Sequence, residues 1–510
     1  MWRTPIVIGT TETIPGIAAW LAGTPESPRP IGCVLIEAAS EETPEEIGGL
    51  PVLGTLDDLA GLHAASPISG AIVSLPSGLP AATLKTRARL RQLGIVERFI
   101  PTLSDSLGSI VSKPVSASQP GVDLVELIGR VPYGIDRKAV ARVVEGKRVL
   151  ITGAGGSIGS ELCRIAATFK PAQIILMERS ENALFEIDRQ MARRFPDLPR
   201  KALLHDVVDA DQTLRHLVAL RPHTILHSAA HKHVPLMEDH PSHAVTNNLF
   251  GTKSIADAAL AAGAERFVMI SSDKAVNPTS VMGATKRLAE MYVQAMNAGQ
   301  AGKLGPKTSF TMVRFGNVLG SACSVLPIWG AQLAEGGPIT VTDPRMTRYF
   351  MTITEAATLV IQAAAIDAHG TPHSPTIFVL DMGEPVKILD LAQRFVRLNG
   401  FEPRVLGPLP PKGLRLVGAE IDIVFTGQRP GEKLYEELAY DAEALKPTPY
   451  PGIMALGAST HAAFDVAGMV AELSALRSSP DRRSVIEAIG RHVPEMKRPE
   501  GGTPVTADRS

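Results

Sequence analysis

Two stretches hold the residue types that could do chemistry. Ser271-Ser272-Asp273-Lys274 sets two hydroxyls before a carboxylate and an amine, and Met282-Gly283-Ala284-Thr285-Lys286 adds a second amine. An adjacent Asp and Lys supply one proton donor and one acceptor. On an ordinary surface such a pair is only a solvated ion pair; at the ligand edge of a sheet it becomes a reaction centre. The other stretch is Gly153-Ala154-Gly155-Gly156-Ser157-Ile158-Gly159, spaced G-x-x-G-x-x-G because position 158 is Ile. Small residues there let main-chain N–H groups reach a pyrophosphate at the positive end of a helix expected from Ser160. Gly153, Gly156, Ser157, Ile158 and Gly159 are therefore candidate cofactor-binding residues. Glu178 ends the next strand and is placed to accept hydrogen bonds from a ribose diol, which favours NAD over NADP. Arg179 beside it could instead meet a 2′-phosphate, and Asp206, ending the third strand, is a candidate for the adenine.

These residues need a sheet to present them. Strand-like runs are Val149 to Thr152, Ile174 to Met177, Ala202 to Leu204, Thr224 to Leu226, Phe267 to Ser271 and Phe310 to Val313, with helical patterns such as Asn182 to Phe195 and Gly251 to Ala262 between them. Six strands with right-handed crossovers make a doubly wound sheet that binds ligands beyond its carboxyl ends. Ahead of it, Ile6 to Gly9, Gly32 to Ile36 and Ala71 to Ser74 alternate with helices such as Ala82 to Leu93, predicting a small Rossmann-like α/β domain. Its first turn, Gly9-Thr10-Thr11-Glu12, lacks spaced glycines, so a scaffold without nucleotide is expected. The fold class is α/β: residues 1–111 form the small domain, 112–145 a linker with Ser- and Pro-rich 112–121, and 146–316 the NAD-binding Rossmann core. Residues 317–458 form an irregular substrate lobe interleaved with the core, and 459–510 two helices (about His461 to Leu476 and Ser484 to Arg491) with a disordered tail.

Composition excludes several classes. Lys plus Arg number 51 against 52 Asp plus Glu, so no net charge draws the chain to nucleic acid. Apolar residues are 45% and charged residues 20%, ordinary for a globular chain, while 45 Gly and 40 Pro point to many turns. Cys33, Cys163 and Cys323 stand far apart, which argues against a disulfide framework or a structural zinc. With no run of about eighteen apolar residues and no secretory leader, the expected location is cytoplasmic. Five histidines between 227 and 243 lack accompanying Cys or ordered carboxylates, so no metal is expected.

In sequence order the motifs become specific. Ser271 to Thr279 and Met282 to Lys286 resemble the UDP-N-acetylglucosamine 4,6-dehydratases, extended short-chain dehydrogenases/reductases of bacterial polysaccharide biosynthesis. The likeness runs through Ala229-Ala230-His231-Lys232-His233-Val234-Pro235, Arg314 to Ser321, Gly337 to Thr342, Met346 to Phe350 and Leu380 to Glu384, ending at Gly427 to Lys433. Roughly three hundred residues are covered. Short-chain dehydrogenases carry Tyr-x-x-x-Lys here, the Lys one turn on lowering the phenol's pKa. This chain keeps Lys286 but has Met282, whose thioether takes no proton; Met at that place matches the long-chain branch, which retains configuration at C5.

The resemblance implies an internal redox cycle with NAD as cofactor and UDP-N-acetylglucosamine as substrate: hydride leaves C4, the C5 proton is removed, water leaves C6, and the hydride returns to C6. It makes Lys274 the base, with a pKa lowered by burial or by Lys286, and Asp273 the acid for the departing hydroxyl. Ser272 relays the C4 hydroxyl proton through water or toward Lys286, which also holds the nicotinamide ribose. Ala229 and Ala230 frame the cofactor and Lys232 the sugar; Arg314, Arg429 and Glu432 take diphosphate and uridine, with Asn317, Thr340 and Arg348 as further substrate contacts. Cys323, where the family has glycine, is expected to be a buried thiol. A homo-oligomer is expected. Long members place membrane-spanning helices ahead of the first α/β domain; this sequence starts at that domain, fitting a cytosolic lineage or a trimmed chain, and peripheral membrane contact stays open. An epimerase or a C5-inverting dehydratase of the same superfamily, and a non-catalytic nucleotide-sugar or NAD sensor, are the alternatives.

Overall fold

Apolar runs without polar interruption form strands covered on both faces. The computed structural model describes residues 4–22, 29–36, 44–75, 80–99, 132–300, 308–334, 336–366, 377–399, 401–408, 420–440, 445–456 and 464–497. The chain divides into two units. One is Met1–Asp123 with Pro327–Val341 and Leu391–Phe425; the other is Leu124–Leu326 with Thr342–Asp390 and Thr426–Ser510.

The second unit holds a nine-stranded sheet ordered Leu445–Pro447, Ile453–Leu456, Ile377–Leu380, Ser309–Arg314, Arg266–Ile270, Thr224–His227, Arg148–Thr152, Gln173–Glu178, Arg200–Leu204. The last seven are parallel, and the first two add antiparallel to the edge. Chain order reverses at Arg148–Thr152, whose neighbours Gln173–Glu178 and Thr224–His227 lead away on opposite sides; connections diverge there and leave a crevice at the carboxyl ends. Successive side chains alternate faces. Leu150, Ile175, Met177, Phe267 and Met269 enter one buried cluster, and Val149, Ile151, Ile174, Leu176 and Val268 enter the other. The helices Val466–Ala475 and Arg482–His492 seal the first cluster with Met469, Leu473, Val485 and Ile489. The expected helix over His461 to Leu476 starts later because Asp465 caps it, accepting from Gly468 N at 2.8 Å; residues 461–463 lie outside the described residues.

The other unit contains a six-stranded sheet ordered Glu46–Ile47, Leu50–Thr55, Cys33–Leu35, Pro5–Gly9, Gly70–Ser74, Glu97–Phe99, parallel apart from its first pair. The turn after Gly9 is closed by its own side chains: Thr10 N donates to Thr13 Oγ1 at 2.9 Å, and Thr13 Oγ1 donates to Ser74 O at 2.7 Å. The same unit includes a parallel sheet of Ile339–Val341, Glu420–Phe425 and Glu402–Pro408, where buried Trp329 donates its indole N–H to Thr340 O at 2.8 Å.

The stretch 317–458 is thus less irregular than its sequence reads. Ile377–Leu380 and Ile453–Leu456 are strands of the main sheet, and Ile353–Ala363 is a buried helix. The linker's last part is also ordered. Arg137–Val144 is a helix capped by Asp136, which accepts from Ala139 N at 3.0 Å. The expected linker core at 112–121 and the tail after residue 498 lie outside the described residues. No helix among the described residues is long and apolar enough to cross a membrane.

Candidate active site

The glycine turn sits at the point where the strand order reverses. Gly153 has φ +63°, a left-handed conformation that disfavours a side chain. A Cβ on Gly159 would stand 2.0 Å from Gly153 O, so the helix packs onto the strand end only without one. That helix begins at Ser157, not at the expected Ser160: Gly156 is its N-cap, and Ser160 N donates to Gly156 O at 2.9 Å. Gly153, Gly156, Ser157, Ile158 and Gly159 line a cavity of about 820 Å³ together with Ala230, Lys232, Ser272, Lys274, Met282, Lys286 and Asn317. A second cavity of about 190 Å³ is lined by Gly153, Gly156, Glu178, Arg179, Asp206, Ala229 and Ala230. Small residues, backbone donors and a strand-end carboxylate make a cradle that fits a dinucleotide.

Glu178 accepts backbone N–H bonds from Gly155 at 3.2 Å, Arg179 at 3.0 Å and Ser180 at 3.1 Å. Arg179 donates to Asn247 Oδ1 at 3.2 Å, meets His231 Nε2 at 2.6 Å and pairs with Asp206 at 4.0 Å. Its fork is engaged by protein partners, one of them a carboxylate, which does not suit a 2′-phosphate.

After the strand Arg266–Ile270 the chain makes a single 3₁₀ turn, Asp273–Ala275, capped by Ser272 Oγ, which accepts from Lys274 N at 3.2 Å. Asp273 is fully buried; its Oδ1 accepts from Ser272 Oγ at 2.9 Å and from Lys274 Nζ at 2.9 Å, while Oδ2 has no hydrogen-bond partner among the described residues. Lys274 Nζ also donates to Asn317 Oδ1 at 3.1 Å and stands 3.7 Å from Glu436 Oε1. Burial pulls the Lys274 pKa down, but Asp273 and Glu436 outweigh it and hold it above the ordinary lysine value. The expectation of a lowered Lys274 pKa is overturned. The amine with the low pKa is Lys286, brought to about 8 by burial with Glu290 partly opposing.

Lys286 lies on the helix Val281–Ala298, whose N-terminus is fastened twice: Gly283 N donates to Ser280 Oγ at 3.1 Å and Val281 N to Glu238 Oε1 at 2.6 Å. Lys286 Nζ donates to Ile270 O at 2.6 Å, and Met282, one turn earlier, lines the same cavity. Ser272 bonds Asp273 rather than Lys286, so the direct Ser272–Lys286 relay is not formed.

Arg314 corrects a second expectation. It is fully buried and lines none of these cavities; its Nε and Nη2 donate to Glu290 at 2.8 and 2.7 Å. Glu290 in turn accepts from Ser271 Oγ at 2.6 Å and from Arg287 at 3.4 Å. Although burial raises the Glu290 pKa, Arg314 and Arg287 hold it below the carboxylate range. Arg314 is a counter-ion in the core, not a phosphate ligand. Thr340 belongs to the other unit, where its hydroxyl accepts from Gln332 Nε2 at 2.8 Å.

Arg348, Asn317, Lys274, Glu432, Lys433 and Glu436 come together around a cavity of about 150 Å³. Arg348 donates to the carbonyls of Thr347, Lys433 and Leu434 at 2.7, 2.8 and 3.1 Å, which fastens the 433–436 segment. Arg429 is exposed and closed on Glu432, Nη2 to Oε1 at 2.6 Å. Lys232, its pKa lowered by burial, donates to Ala322 O at 2.9 Å. Glu290 and Glu436 escaped the sequence reading; Glu436 follows the Gly427–Lys433 motif by three residues, the one signal that could have found it.

The histidines separate by environment. His227 is a core residue between Thr152 and Thr252, at 2.8 and 3.0 Å, and burial lowers its pKa to about 3. Among the described residues no group of three metal-ligating side chains converges. Cys323 is exposed, not buried as expected, at φ +56° on the wall of the large cavity.

The polysaccharide biosynthesis protein family model matches residues 149–458. The chain is 43% identical over 394 residues to the probable polysaccharide biosynthesis protein EpsC of Bacillus subtilis (strain 168), covering 77% of this chain and 61% of that one. It is 33% identical over 219 residues to a UDP-N-acetylglucosamine 4,6-dehydratase (inverting) of Campylobacter jejuni, covering 42% of this chain and 63% of that one. The chain thus spans less than two thirds of either relative. The X-ray structure of Pen from Bacillus thuringiensis superposes with a TM-score of 0.53 at 31% identity, covering 62% of this chain and 90% of that one. The matched span contains the glycine turn, the Asp273–Lys274 pair and the segment around Glu436, and on that ground the chain belongs to the polysaccharide biosynthesis protein family.

Proposed function

We propose that the chain is an NAD-dependent UDP-N-acetylglucosamine 4,6-dehydratase that retains configuration at C5. Its product would be UDP-2-acetamido-2,6-dideoxy-4-keto-hexose, for polysaccharide or glycan assembly. The observation that carries this reading is the 2.9 Å contact between Lys274 Nζ and Asp273 Oδ1, with Met282 where a phenol would stand. When bound, NAD supplies a reversible acceptor for the hydride that leaves C4 and returns to C6. Gly153, Gly156, Ser157, Ile158, Gly159, Glu178, Ala229 and Ala230 would hold it, with Lys286 at the nicotinamide ribose.

The Asp273–Lys274 pair accounts for the proton transfers at C5 and C6: Lys274 takes the C5 proton and returns one to C5 after the hydride reaches C6, and the proton released by the C4 hydroxyl passes through Ser272 to restore the pair. One proton moved across the contact turns ammonium and carboxylate into a neutral amine and a carboxylic acid, the two forms that the C5 and C6 steps need. Lys274 lines the cavity and takes the C5 proton; Asp273, behind it, passes its proton to the leaving hydroxyl through Ser272 or Lys274. Asn317, Arg348, Lys232, Arg429 and Glu432 are proposed to bind the substrate, the exposed Arg429 opening from Glu432 to meet diphosphate.

The test is incubation with UDP-N-acetylglucosamine and mass spectrometry of the nucleotide sugar. Loss of one water without accumulation of NADH supports the reading; accumulation of NADH would make the chain a simple dehydrogenase.

A further inference from the structure

We propose that Glu436 is a positioning residue for Lys274, completing with Asp273 and Asn317 a set of three oxygens that hold the amine at the cavity wall. The inference rests on the dehydratase reading only in giving Lys274 a task. The contact itself stands on geometry.

Glu436 Oε1 lies 3.7 Å from Lys274 Nζ and 3.7 Å from Arg348 Nε. Its side chain is 3% exposed, and Oε2 is buried with no hydrogen-bond partner among the described residues. Leaving a carboxylate oxygen buried and unpaired costs free energy, so such an atom calls for a reason. The surroundings are built to hold it there. Arg348 ties down the backbone on both sides of Leu434, and Lys433 Nζ donates to Val276 O at 2.8 Å, just beyond the 3₁₀ turn that carries Lys274. Lys274 and Asn317 line both the large cavity and the small one containing Glu436, so Glu436 meets the reaction centre at Lys274.

The charged groups facing Lys274 are Asp273 on its own turn, Arg348, the segment carrying Glu432, Lys433 and Glu436, and Lys286 across the larger cavity. Of these, Asp273 and Glu436 favour the ammonium and Arg348 opposes it. Taking away Glu436's charge must therefore make Lys274 easier to deprotonate and loosen its aim.

The experiment uses the full chain with NAD and three proteins: wild type, Glu436→Gln and Glu436→Asp. Competitive acetylation across pH, read at the Lys274 peptide by mass spectrometry, reports the protonation of that amine without turnover. The expected result is a half-labelling pH lower by about one unit in Glu436→Gln, partly restored in Glu436→Asp. In steady-state assays with UDP-N-acetylglucosamine, kcat should fall about tenfold in Glu436→Gln with KM little changed, because the residue acts through Lys274. An unmoved half-labelling pH overturns the proposal. A raised KM at unchanged kcat overturns it too, making Glu436 a substrate contact. If wild type releases no water while the labelling shift is seen, the dehydratase reading fails and the Glu436–Lys274 coupling stands.

Discussion

A β-carbon on Gly283 would lie 2.1 Å from Lys274 O, so the helix bearing Met282 and Lys286 rests directly on the backbone of the turn bearing Lys274. Backbone cannot yield as a flexible side chain would. Gly283→Ala must push helix and turn apart, at about 1–3 kcal/mol of stability. Activity should fall at least tenfold even where the variant is fully folded by circular dichroism, since small displacements of reacting groups are costly. A variant with normal turnover would show that the contact does not set the site's geometry.

Two arginines that read alike in sequence should behave oppositely. Arg314→Met strands Glu290 without its main counter-ion in the core and should cost about 3–5 kcal/mol in urea unfolding. Arg429→Ala removes an exposed side chain, should change stability by less than about 0.5 kcal/mol, and should raise KM for the nucleotide sugar. Equal stabilities for the two variants would contradict the assignment of Arg314 to the core.

Lys286 imposes a pH dependence on stability. Its folded pKa of about 8 lies below that of an unfolded lysine, so between these values the unfolded chain binds the proton that the native chain has released. In that window Lys286 raises the unfolding free energy with pH, by at most about 1.4 kcal/mol per unit; below it the cost of burying the ammonium is fully present. Urea unfolding of the ligand-free protein from pH 7 to 10 should show this component, and Lys286→Met should lack it. Parallel profiles for the two proteins would refute it.

Cys323 should be the fast-reacting thiol. It is exposed, whereas Cys33 and Cys163 are buried and burial pushes the Cys163 pKa to about 12. A disulfide reagent should label Cys323 first, and NAD with UDP should slow it, because Cys323 lines the large cavity. Cys323→Gly should relieve the left-handed backbone at φ +56° and leave the protein at least as stable. Peptide mapping that places the label on Cys163 would overturn the ranking.

How much was legible in the sequence follows the range of the interactions. Six strands of the main sheet, Arg148–Thr152, Gln173–Glu178, Arg200–Leu204, Thr224–His227, Arg266–Ile270 and Ser309–Arg314, and the glycine turn are encoded locally, in apolar runs and small residues, and they fall within a residue or two of where they were expected. Adjacent Asp273 and Lys274 announced themselves for the same reason. Arg314 did not: a guanidinium at a strand end reads the same whether it faces phosphate or Glu290, its partner 24 residues away. Glu436 meets Lys274 although the two stand 162 positions apart in the chain. Strands of two to four residues, such as Thr347–Arg348 and Ile377–Leu380, are too short for alternation to show, which is why 317–458 looked irregular.

Everything chemical here hangs on one amine reaching one carbon. Turnover of UDP-N-acetylglucosamine in deuterated water, followed by NMR for wild type and Lys274→Ala, tests that directly. Wild type should give a 4-keto-6-deoxy sugar carrying deuterium at C5, with unchanged C5 configuration and no build-up of NADH, and Lys274→Ala should give none while still binding NAD. A product epimerised without loss of water, or undiminished dehydration by Lys274→Ala, would contradict it.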